Sequence, residues 1–361
     1  MRRLLVLGSG SLARESCIAI SALRVPVAIT VAARNAAAVA EIAYLTGARG
    51  YLAGSPTRCE PGTVDLSDPS AVRGLLDGLR PDLVLLAASL QSPWERDGAP
   101  SAWTDALAAA GFGLSLPLQA RFAMTVADAA RQTGSVFVNA CFPDAVNPVL
   151  HALGLPVCCG IGNAATVAAS LGAALADRGD GAQLRVLAHH VHFHAPADPA
   201  DPASEAMAWL DDEPVSGVGH LLSALRASDR GLLNQVNGLT AARVAGALIT
   251  GEEYRTSVPG PDGRPGGYPV RIADHGLALD LPPGLGPDEA VAHNQRWAVA
   301  DGVVVEGRTV RFVGAAADLI EVNAPSLPVS FELTGPDVVQ AMCDELIALR
   351  DELRITRSAL T

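Results

Sequence analysis

The chain has 361 residues, 49% of them hydrophobic, 18% charged and 4% aromatic, with a formal net charge of −12. That length fits two domains of roughly 100–200 residues with sizeable cores, and the composition excludes a disordered or collagen-like chain. The acidic balance excludes nucleic acid as a partner, because phosphate contacts need a basic face, and no run approaches the ~20 apolar residues of a membrane span.

Leu4 to Leu7 reads as a short strand buried on both faces. It runs into Gly8-Ser9-Gly10-Ser11-Leu12-Ala13 and then a stretch with helical spacing through Cys17, Ile18 and Leu23. This is the G-x-G-x-x-A form of the dinucleotide fingerprint in its strand–turn–helix setting. Gly8 permits the tight turn and Gly10 the approach of a pyrophosphate. Ser11 and Leu12 open the helix, and Ala13 is small enough to pack on the strand. The second strand is Val27–Val31. An acid at its end would accept the ribose 2′-hydroxyl of NAD; Arg34-Asn35 stands there instead, which favours NADP, with NAD as the alternative.

Val64-Asp65-Leu66 reads as a strand end, and Ser67-Asp68-Pro69 as a capped helix start. Asp82 to Ala88 is the next strand, which places Ser89 beside the nicotinamide. Residues 92–113 read as an irregular excursion. Leu118 to Gln132 is a helix, and Ser135 to Asn139 a strand that brings Asn139 to the nicotinamide side. The expected architecture is α/β: an N-terminal doubly wound Rossmann domain over residues 1–150, and a C-terminal mixed α+β domain over 151–361 for substrate binding and oligomerisation.

In the second half, Val157-Cys158-Cys159 reads as a strand opening into a helix from Ala164 to Asp177. Leu184 to Ala195 reads as a strand carrying four histidines. Strand alternation would put His190, His192 and His194 on one face and His189 on the other. One of them suits the general acid/base role that hydride transfer to a carbonyl requires. Three imidazoles could also hold a metal, but no further ligands stand at a recognisable spacing, so no metal is expected. Residues 196–216 read as a mobile loop or lid. Leu221 to Thr250 is helical, Gly276–Leu281 and Thr309–Val313 read as strands, and Val338, Met342, Leu346, Leu349 and Leu353 form the apolar stripe of a last helix.

The six cysteines contain no CxxC pair and suit a reducing compartment, and the apolar opening breaks at Gly8 too early for a signal peptide. A cytoplasmic protein is expected. All 26 basic residues are arginine, which excludes Schiff-base and P-loop lysine chemistry.

Taken in order, the fingerprint, Asn139, Asn147-Pro148, Gly160-Ile161-Gly162-Asn163 and the histidine cluster resemble the lactate/malate dehydrogenase superfamily, which includes NAD-dependent 6-phospho-glycosidases. Asn237-Gly238-Leu239-Thr240-Ala241-Ala242 and Pro265-Gly266-Gly267-Tyr268-Pro269-Val270 extend the resemblance over most of the chain. It implies that Asn139 orients substrate or nicotinamide and that His190 or His192 is the acid/base residue. The chain departs from the pattern in having no Asp adjacent to the histidine and no clear equivalent of the substrate-binding arginine. Saccharopine- and opine-type reductases are a second resemblance, on the Arg34-Asn35 strand end. The expected function is hydride transfer between NADP(H) and a small carbonyl, imine or hydroxy compound, in a homo-oligomer (dimer or tetramer). The alternatives are a lyase or glycosidase-like enzyme using the cofactor transiently, and a non-catalytic dinucleotide sensor.

Overall fold

The computed structural model describes residues 1–178, 181–196 and 201–356. Its centre is a six-stranded parallel sheet: β1 (Arg2–Leu7), β2 (Val27–Ala33), β3 (Arg58–Thr63), β4 (Leu83–Leu86), β5 (Val136–Asn139) and β6 (Cys159–Gly160), in the order 3-2-1-4-5-6. The apolar runs are continuous because both faces are covered. Leu5 and Leu7 of β1 join one core with Val84 and Leu86. Leu4 and Val6 join the other with Leu83, Leu85 and Ala13. The strand order reverses between β1 and β4, which opens a crevice at their carboxyl ends.

Local signals set most of these elements. Asp68 caps the helix Pro69–Leu79 by accepting from the Ser70 and Ala71 amides. The strand expected to end at Val64–Leu66 stops just before it: it is Arg58–Thr63, which pairs with β2 from Ala28 to Ala33. β3 is an edge strand with mostly exposed side chains, so hydrophobic patterning does not mark it. Residues 92–113 are less irregular than expected: they contain the helix Ala102–Ala110, capped by Ser101 and anchored by the fully buried Trp103.

The second half adds three three-stranded antiparallel sheets and the last helix, Pro336–Arg354. That helix packs on Leu116–Thr133 of the first half, burying Met342, Leu346 and Leu349 with Val339 and Cys343. One core therefore joins residues from Leu5 to Leu349, and the sixth sheet strand, Cys159–Gly160, lies beyond residue 150. Within the expected loop 196–216, Met207–Leu210 is a strand pairing antiparallel with Leu184–Leu187, and Trp209 is buried. Residues 197–200 of that loop lie outside the described residues. The helical stretch from Leu221 is interrupted before its long helix, Leu233–Thr250. No helix among the described residues is long and apolar enough to cross a membrane.

Candidate active site

The loop after β1 forms a cradle. Gly8 has φ +139°, and a Cβ there would lie 2.6 Å from the Ala87 carbonyl oxygen, so both conformation and space require glycine. Gly10 has no atom within 4 Å of a Cβ position. No side chain caps the following helix, Ser11–Ala22, so its leading amides are donors for an anion. Ala13 is fully buried against the sheet, and the Ser11 hydroxyl accepts from Asn234 Nδ2 at 2.7 Å. A glycine turn, open approach and uncapped helix start together fit a dinucleotide's pyrophosphate.

At the end of β2, Arg34 is exposed. Asn35, expected at the cofactor, is the cap of the next helix: its Oδ1 accepts from Ala38 N at 3.0 Å. The Asp65 carboxyl is held below its ordinary pKa by the Ser67 hydroxyl and amide and by the nearby Arg34, so a carboxylate does reach Arg34's surroundings, from beyond β3. Ser89 donates its hydroxyl to Gln91 O at 2.7 Å.

Around the histidines the structure departs from the expected strand. Pairing with Met207–Leu210 ends at Leu187, and His190–Phe193 is a turn of 3-10 helix. His190, His192 and His194 consequently share no face. His192 is buried edge-on to Trp297, with centroids 4.6 Å apart, and its Nδ1 accepts from His189 N at 2.8 Å. Burial, with His189 and Arg226 nearby, lowers its pKa to about 3. A ring that stays neutral at physiological pH does not fit the acid expected of His192. His194 is exposed.

His190 has different surroundings. Its ring stacks on Phe112, with centroids 5.3 Å apart, and meets Phe142 edge-on at 5.5 Å. Its Nδ1 lies 3.0 Å from Asp301 Oδ2, and the Asp301 side chain is 5% exposed against 22% for His190. The carboxylate is thus enclosed while the ring can be reached. Burial opposes protonation of His190, but Asp301 outweighs it and the pKa rises. Burial likewise opposes ionisation of Asp301, and His190 outweighs it, so that pKa falls. With Nδ1 committed to Asp301, Nε2 is the ring atom left to exchange a proton. A second carboxylate, Asp144, accepts from the His190 amide at 3.0 Å. Asp301, Asp144, Phe112 and Phe142 were not among the expected site residues.

Asn139 ends β5 as expected and is fully buried. Both its amide hydrogens are engaged, with Cys141 O at 3.1 Å and Asn147 Oδ1 at 2.9 Å, and Asn147 in turn donates to Gly260 O. This ties the end of β5 to the second half rather than offering donors to a ligand. Among the described residues no group of three or more His, Cys, Asp or Glu side chains is arranged to hold a metal.

No family model matches the sequence and no curated protein is similar to it in sequence. In three dimensions the chain is similar to the malate dehydrogenase of Salinibacter ruber, with 14% identity over 97% of this chain and 99% of that one and a TM-score of 0.53. It is also similar to the malate dehydrogenase of Picrophilus torridus (12% identity, 83% and 97% covered, TM-score 0.56). A lactate dehydrogenase from a Medee basin deep-sea metagenome library gives 14% identity, the same coverage and a TM-score of 0.55. The fold is that of the lactate and malate dehydrogenases. The resemblance read from the motifs is therefore borne out in the architecture.

Proposed function

We propose that the chain is a dinucleotide-dependent oxidoreductase that moves a hydride between NADP(H) and a small carbonyl, imine or hydroxy compound. The observation that carries this reading is the His190–Asp301 pair, a reachable imidazole backed by an enclosed carboxylate. The fold neighbours, which are dehydrogenases by name, and the cradle at Gly8–Ala13 support it. The nicotinamide group, when bound, supplies the hydride.

The chain's own residues supply the rest. Gly8 and Gly10 admit the pyrophosphate, and the first amides of Ser11–Ala22 bind its charge. Phe112 and Phe142 wall the imidazole with apolar surface. His190 Nε2 holds the proton that joins a carbonyl oxygen or imine nitrogen during reduction, and accepts it in the reverse direction. Asp301 fixes the ring through Nδ1 and stabilises its cationic form. The NADP preference is supported by Arg34, which carries the strand-end charge where NAD sites place an acid. Calorimetric binding of NADPH, followed by its consumption with a panel of small carbonyl and imine compounds, tests the reading. Binding with no consumption would favour a dinucleotide sensor.

A further inference from the structure

Two carboxylates act on His190 from different elements, and only Asp301 touches the ring. Asp144 lies in the first turn of the helix Pro143–Ala152, directly after β5, and is 2% exposed. Its Oδ1 accepts from the His190 main-chain N–H at 3.0 Å, and its own carbonyl accepts from Gly266 N at 3.0 Å. The residue that leads into it, Phe142, has φ +46°, a conformation that costs a bulky side chain energy and persists only where the surroundings enforce it. The same Phe142 ring packs against the imidazole.

We propose that Asp144 is the positioning residue of His190: its carboxylate, fixed in the first turn of the helix that follows β5, holds the histidine's main chain so that the ring meets Asp301, and its charge favours the imidazolium. The nucleotide-binding sheet and the proton-carrying side chain are thereby joined through one hydrogen bond. The proposal rests on the reading of His190 as the acid/base residue, but its physical content is independent of turnover. The groups whose charge reaches the ring are Asp301, from the turn Val299–Asp301; Asp144; His189 and His194 on its own segment; and Arg230, which precedes the helix Leu233–Thr250. Of these the two carboxylates favour the imidazolium, whereas Arg230 opposes it and burial does the same; burial also raises the pKa of Asp144 itself, and the neighbouring His189 and His190 work against that rise.

The test is a proton-NMR titration of the histidine ring signals in the full chain, with the His190 signal assigned from His190→Gln. Asp144→Asn keeps an acceptor oxygen and removes the charge; Asp144→Ser keeps a smaller acceptor and removes the charge. In both, the His190 midpoint is expected to fall by about one pH unit, while the His293 signal follows its wild-type course. An unchanged His190 midpoint in the two folded variants overturns the proposal, as does a shift common to all histidines. Failure of both variants to fold also contradicts it, because Asp144 would then serve the core rather than the histidine. The expected titration in a protein that consumes no NADPH would instead count against the oxidoreductase reading alone.

Discussion

His190 Nδ1 and Asp301 Oδ2 stand 3.0 Å apart although 111 residues separate them in the chain. The contact fixes the ring and raises its pKa, and under the proposed function it gives the site a definite pH behaviour. Carbonyl or imine reduction needs the protonated ring, so its rate should fall as pH rises through the raised His190 pKa. Oxidation needs the neutral ring and should rise over the same range.

Stability follows the same two groups. The raised His190 pKa contributes stability that is full below the ordinary histidine value, about 6.5, and is lost as pH climbs through the folded-state value. The lowered Asp301 pKa contributes stability present above the ordinary Asp value, about 3.9, and lost as pH falls through the folded-state value. The two shifts report one attraction, present only while both groups are charged, and Asp301→Asn removes it. Its melting temperature should sit below that of wild type between those limits and approach it above the His190 titration. A constant offset across pH would show that the pair is not ionised.

His192 is the control within the cluster. Its ring packs on Trp297 and remains neutral, so His192→Gln should melt lower, by about 1–3 kcal/mol of lost packing and hydrogen bonding, while surviving protein turns over normally. A drop in kcat with no change in melting temperature would restore it as a catalyst.

The two glycines of the cradle separate folding from binding. Gly10→Val should leave the melt within about 1 kcal/mol of wild type, since nothing lies within 4 Å of the added Cβ, and should abolish dinucleotide binding. Gly8→Ala should destabilise the chain by about 1–3 kcal/mol, because of its positive φ and the contact with Ala87 O. Melts and NADPH calorimetry on both variants check this, and unchanged NADPH affinity in Gly10→Val would refute the cradle.

Much of this cradle was legible in the sequence because its signals are local. Leu4–Leu7, Gly8, Gly10 and Ala13 act over about a dozen positions, and Asp68-Pro69 marks a helix start by itself. Asp301 was not legible: nothing near His190 names a partner that arrives from 111 positions away. The alternation expected from Leu184 to Ala195 failed for a related reason. Sheet pairing stops at Leu187, and beyond it Asp144 holds the His190 amide while His189 and His192 bond across the turn. These contacts come from packing, not from the period of the apolar residues.

Arg34 tests the cofactor preference. Losing charge-assisted bonds to a 2′-phosphate should cost about 1.5–3 kcal/mol of binding, so Arg34→Asp should weaken NADPH and favour NADH. Asp65 lies close enough to act on Arg34, and Asp65→Asn should strengthen NADPH binding. Wild-type protein that binds NADH as tightly as NADPH would show that Arg34 does not select the cofactor.

The most direct measurement is the rate of NADPH oxidation with a panel of small carbonyl and imine compounds, wild type beside His190→Gln. The account predicts consumption with at least one compound, a loss of about 10²–10⁴-fold in the variant, and nearly equal NADPH affinity in both proteins. Equal rates in the two proteins, or NADPH bound and never consumed, would contradict it.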